Sequence, residues 1–130
     1  MKNREIITHI NNLEAMAKRE KKAIESNQDY RRMNIKVVHK IFVNKRLLKE
    51  KIKPYEETLE ELTVRFGVKM DAGGMNIKNL TEEKREKFIR ELNELLDIDV
   101  DIEVDKLYIE QFGDYDISQE DMAALEFMVM

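Results

Sequence analysis

The chain has 130 residues, enough for one domain with a modest core and short for two. It contains no Cys, which excludes disulfides, zinc–thiolate sites and thiol nucleophiles, and its 42% hydrophobic and 38% charged residues mark a folding, helix-rich chain rather than a disordered one. The net charge of −4 conceals a gradient: Met1 to Gly67 carries 16 Lys and Arg against 10 Asp and Glu, a net +6, whereas Val68 to Met130 carries 7 against 17, a net −10.

From Asn3 to Ser26 the residues Ile6, Ile10, Leu13, Ala17 and Ile24 fall on one helical face, with Lys18, Arg19, Lys21 and Lys22 toward the C-terminal end, where the helix dipole favours cations. This predicts an amphipathic helix. The stretch Ser26-Asn27-Gln28-Asp29 favours caps and turns, so a helical hairpin is expected there, with Ser26 or Asp29 capping the next helix.

A second helix is expected from about Tyr30 to Phe66. Its apolar residues Val38, Ile41, Leu48, Ile52, Tyr55, Leu59, Leu62 and Phe66 recur at alternating steps of three and four, the pattern of a coiled-coil seam. The same register places Lys45 between Ile41 and Leu48, where its charged head must snorkel or meet an acid. Pro54 removes one backbone hydrogen bond inside this helix, so a kink is expected, with two separate helices as the alternative. Gly67 suits the residue after the helix, and Val68-Lys69-Met70 and Met75-Asn76-Ile77 flank Asp71-Ala72-Gly73-Gly74 as a small hairpin.

Thr81 caps a third helix with Glu82 and Glu83 in its first turn and Phe88, Leu92, Leu95 and Leu96 on its buried face. Beyond it, Ile98, Val100, Ile102 and Val104 alternate with Asp97, Asp99, Asp101, Glu103 and Asp105, which predicts a half-exposed strand with an acidic outer face. Leu107, Ile109 and Phe112 extend it or pair with it. Ser118 with Asp121 forms a capping box for a last helix from Gln119 to about Met128, whose Met122, Met128 and Met130 fit core closure better than a docking patch.

Candidate chemistry gives way to plainer readings. Asp97, Asp99 and Asp101 share the two-residue spacing of a calcium loop but lack its turn glycine and its bidentate Glu. A uniform solvent-facing row offers no desolvated carboxyl for acid–base work. His9 and His39 have no partner at chelating spacing, and Gly73-Gly74 lacks the Lys-Ser/Thr of a phosphate loop. No cofactor, metal or catalytic residue is expected. The basic residues Arg31, Arg32, Lys36, Lys40, Lys45, Arg46, Lys49, Lys51 and Lys53 spread around most of the second helix, with only Tyr30 and Phe42 among them to stack on bases. They suit an acidic partner, or the chain's own acidic half, better than a duplex.

Three stretches carry a family resemblance: Asn3-Arg4-Glu5-Ile6-Ile7, Leu59-Glu60-Glu61-Leu62-Thr63-Val64-Arg65-Phe66-Gly67, and Ile117-Ser118-Gln119-Glu120-Asp121-Met122 through Leu125-Glu126-Phe127-Met128. Together with Phe88 to Leu96 and the alternating segment, they resemble a group of small phage and prophage proteins of low-GC Gram-positive bacteria, described as domains of unknown function. Pro54 and the strongly basic second helix depart from that pattern. The resemblance implies viral origin and no particular activity.

The expectation is a single α+β, mostly α domain over 1–130. A long coiled-coil-like helical hairpin occupies 1–67, and 68–130 forms a small subdomain with a β element and a C-terminal helix. Function is expected to be non-enzymatic, through a protein partner of host or phage. One partner-binding face is acidic (Asp97, Asp99, Asp101, Glu103, Asp105, Asp114, Asp116) and one is basic (Arg31, Arg32, Lys36, Lys40, Arg46, Lys49). An inhibitor of host defence such as an anti-CRISPR leads, followed by a virion assembly protein that oligomerises through its helices, then by a nucleic-acid-binding accessory protein. No window approaches the roughly 18 apolar residues of a spanning helix, and residues 1 to 17 hold no apolar run of signal-peptide length. The expected location is therefore the host cytoplasm or the virion, away from the membrane.

Overall fold

The computed structural model describes residues 1–26 and 32–130. The expected turn at Asn27, Gln28 and Asp29, and the positions of Tyr30 and Arg31, lie outside the described residues. The chain is mostly helical, with one two-stranded antiparallel sheet and a C-terminal helix. Among the described residues no helix is long and apolar enough to cross a membrane.

Helix α1 spans Asn3–Ser26 and buries Asn3, Ile6, Leu13 and Met16, while Ala17 and Ile24 face out. Ser26 is its last residue and donates its hydroxyl to the Lys22 carbonyl, so it does not cap the next helix. Helix α2 spans Ile35–Lys51, and its cap is Asn34, whose side chain accepts from the Lys36 amide at 2.8 Å.

Helix α3, Lys53–Phe66, begins one residue later, so the expected long helix is divided at Ile52. Pro54 has no N–H to donate to the Glu50 carbonyl, and it takes its place in the first turn of α3, where none is needed. Ile52 keeps helical dihedrals (φ −82°, ψ −13°) and its bonds to Leu48 and from Glu56, so the path continues through the break.

The break divides the apolar stripe between two cores. Val38, Ile41, Leu48 and Ile52, with Tyr55 packed alongside, join a first cluster built from α1, α2 and the C-terminal segments. Leu62 is buried in a second cluster with Val68 and Phe88, and Phe66, Ile77, Leu80 and Leu92 pack on it. Leu59 is only half-buried and belongs to neither. The register also shifts: the fully buried polar residue of the stripe is Asn44, in the series Val37, Ile41, Asn44, Leu48, and Lys45 is half-buried beside it. Lys45 lies with Glu20 at a small crevice between α1 and α2; the Lys49 hydrogen bond, helped by the charges of Lys49 and Lys45, holds the Glu14 carboxyl below its usual range.

Gly67 ends α3 in the left-handed region (φ 70°), where a side chain would be strained. Strands β1, Lys69–Asp71, and β2, Gly74–Asn76, then pair Lys69 with Asn76, Met70 with Met75 and Asp71 with Gly74, leaving Ala72-Gly73 as the turn. Helix α4, Glu82–Leu96, is capped by Thr81, whose hydroxyl accepts from the Lys84 amide. Its Phe88 is buried edge-on to Phe66, with ring centroids 5.6 Å apart. α4 packs on α3, and α1 packs on α2 and on helix α5, Gln119–Leu125, so packing crosses residue 67 in both directions.

The predicted strand at Ile98–Val104 is not one. Burial does alternate there, with Val100, Ile102 and Val104 packed against the first cluster and Asp101 and Glu103 exposed, yet only an isolated bridge forms, between Lys2 and Asp99. A strand needs a neighbour along its length, and α1 turns away into a helix after Lys2. Ile98, expected on the buried face, is 51% exposed. Leu107 does not extend the segment; it forms a parallel bridge with Val129. The 3-10 turn Ile109–Phe112 follows, with Phe112 buried and Ile109 exposed. Ser118 caps α5, but Asp121 does not complete the box: its carboxylate accepts from Arg19 at 2.8 Å. A second 3-10 turn, Glu126–Met128, brings Met128 into the first cluster, while Met130 remains exposed.

Candidate functional site

The acidic segment runs along the first cluster and is held at its two ends. At the start, Val100 exchanges hydrogen bonds with Met1 (3.1 and 2.7 Å), and the Ile98 carbonyl accepts from the Asn3 amide. At the far end, Asn44 takes both backbone groups of Asp105: its Oδ1 accepts from the Asp105 amide at 2.7 Å and its Nδ2 donates to the Asp105 carbonyl at 2.8 Å. Asn44 is fully buried, so this exchange satisfies an amide whose desolvation would otherwise destabilise the core. Lys40 adds a bond to the Lys106 carbonyl at 2.7 Å.

These anchors sort the seven acids. Asp97 accepts from Arg4 at 2.7 Å, and Asp99 from the Met1 ammonium at 2.9 Å. Those hydrogen bonds are the main reason both carboxyls lie below their usual pKa range. Asp105 lies 3.9 Å from Lys40. Asp101 and Glu103, by contrast, are exposed and form no ion pair among the described residues. Asp114 and Asp116 stand apart, exposed in the stretch between the first 3-10 turn and α5. The free acidic surface of the segment is thus Asp101 and Glu103.

The basic residues divide in the same way. Lys49 meets Glu14 at 3.1 Å and Arg32 meets Glu20 at 3.7 Å, both bridging to α1, and Lys40 serves the acidic segment. Lys36 and Arg46 are exposed and form no ion pair among the described residues. Arg31 lies outside the described residues. Ile35 and Phe42, both exposed, share the outer face of α2 with Arg46. His39 is exposed on α2, and His9 stacks on Phe127 with centroids 4.1 Å apart. Burial lowers the His9 pKa from 6.5, with Glu5 acting in the opposite sense. Among the described residues no three His, Asp or Glu side chains gather as a metal site.

Two positioning residues escaped the sequence reading. Asn3, 4% exposed, donates from its side chain to the Leu95 carbonyl at the end of α4, and Asn44 grips Asp105. The available signal was an Asn at the buried phase of an amphipathic helix, where a polar group needs a partner. Comparison with protein-family models, with curated proteins and with solved structures finds no match to this chain.

Proposed function

We propose that the chain is a phage-encoded, non-enzymatic binding protein that acts by protein–protein interaction, as an inhibitor of host defence of the anti-CRISPR kind, working in the host cytoplasm. The observation that carries this reading is the pair Asp101 and Glu103: exposed carboxylates with no cation partner among the described residues, on a segment anchored on both sides. Asp101 and Glu103 flank Ile102, which packs against the first cluster, so the two acids offer a short row of negative charge on the outer face. Such a row competes for Lys and Arg on a protein that handles nucleic acid, with affinity falling as salt rises.

The exposed pair Ile35 and Phe42 beside Lys36 and Arg46 supports a second reading, a virion assembly protein whose copies associate through the helical, coiled-coil-like half. Direct nucleic-acid binding has less support, because Lys40, Lys49 and Arg32 already meet acids or carbonyls within the chain.

Replacing Asp101 with Asn and Glu103 with Gln tests the leading reading. In cells with an active nuclease-based defence, the native chain should raise phage plaque counts, and the double variant, melting as the native chain does, should return them to vector level. Equal counts for both proteins would sink the acidic-face reading, and loss of self-association in the variant would favour assembly.

A further inference from the structure

The acidic segment has the side-chain pattern of a strand without a strand beside it. Val100 and Asp105 are held, but among the described residues the backbone N–H and C=O groups of Asp101, Ile102, Glu103 and Val104 have no hydrogen-bond partner. Just beyond the segment such groups are used: Leu107 donates to the Met128 carbonyl and accepts from the Met130 amide, both at 2.8 Å. An extended run with unpaired backbone groups is the template on which a further strand adds.

We propose that residues 101–104 form a docking edge for an extended, alternating cationic segment of a partner protein, which binds by β-strand addition. Backbone pairing supplies the geometry, and the charge selects the partner. Among the described residues Asp101 and Glu103 meet no cation, so Lys or Arg at every second position of an added strand would stand opposite them. A second copy pairing through the same residues would bring its own Asp101 and Glu103 against these, a like-charge arrangement that weakens pairing. Ile102 and Val104 pack against the first cluster, so the acids stay on the outer face when a strand is added. The inference rests on the acidic-face reading above and adds the mode of recognition.

The test uses the full chain and two synthetic peptides, Lys-Val-Lys-Val-Lys-Val and a twin N-methylated at every amide, which keeps the charge and side chains but has no backbone donors. The first peptide should bind and slow hydrogen exchange at alternate amides within 101–104, a period-two footprint that diffuse charge attraction does not produce. The twin should bind at least roughly tenfold more weakly. Equal binding of the two peptides overturns strand addition while leaving the acidic face intact. Absence of binding by either also overturns it. The Asp101→Asn, Glu103→Gln variant reads the charge separately, so failure of the mode and failure of the face are distinguishable.

Discussion

The two cores of this molecule are assembled from different ranges of the chain. The first gathers Ile6 and Leu13 from α1, Val37 to Ile52 around α2, and Leu107, Leu125 and Met128 from the far end. The second gathers Leu62, Val68 and Phe88 from one continuous stretch, α3 through the hairpin to α4. The first therefore closes long loops before its contacts form, whereas the second nucleates locally around the Gly67 cap and a two-residue turn. A core made of fewer buried residues also opens at lower free energy. The small α3–hairpin–α4 unit should be the part that opens first.

The sharpest way to break this division is a pair of substitutions on the same stripe. Leu48 is fully buried in the first core and Leu59 is half-buried between the cores. Leu48→Asp should cost about 4–5 kcal/mol, the loss of a core side chain plus an unpaired buried charge, which is a large share of a small domain's stability. Leu59→Asp should cost about 1 kcal/mol or less. Thermal melts that fall equally for both would restore one uninterrupted seam and remove the distinction between cores.

Phe88→Ala comes next, at about 3 kcal/mol, the lower end for a buried aromatic because its cluster is small. Native-state hydrogen exchange should show faster exchange in α4 and the hairpin and little change in α1. Equal loss of protection in α1 would mean that the cores open together.

Legibility in the sequence follows the same division. In the second region the signals are local and each was readable: Gly67 as a left-handed cap, the Asp71–Gly74 turn, Thr81 as a helix cap, Phe88 inward. In the first region the decisive partners lie far apart. Periodicity indicated that Val100, Ile102 and Val104 face a core, but not that the neighbouring elements are helices and a side-chain amide rather than another strand. The stripe from Val38 to Phe66 likewise carried no mark of its division, because three-and-four spacing continues across Pro54 while the packing partner changes from α1 to α4. At the candidate site the acids were visible as a row. Which of them the fold uses internally depended on Met1, Arg4 and Lys40, which the sequence does not place near them.

The smallest expected effect sharpens the comparison through pH. His9 belongs to the first region, stacked on Phe127, and its folded-state pKa is lowered by burial. The unfolded chain therefore takes up a proton at a higher pH than the folded one, so the stability tied to His9 is complete above about 6.5 and declines as pH falls below it. Asp97 and Asp99, also lowered, act only as pH falls below 3.8. Denaturant melts between about pH 6.5 and 5 should show a decline that His9→Phe reduces. An unchanged slope in that variant would assign the decline to other groups.

Asn44 has a consequence for how this surface can change over generations. A side-chain amide that grips the backbone of Asp105 does not read which side chain Asp105, or any residue before it, carries. With Val100 held at the other end, what is constrained between them is the number of residues and the inward placing of Ile102 and Val104. The outward positions, 101 and 103, carry no such duty. They form a frame of fixed length in which the two displayed side chains can be exchanged without refolding the domain, so this stretch of surface is free to vary while the core stays as it is.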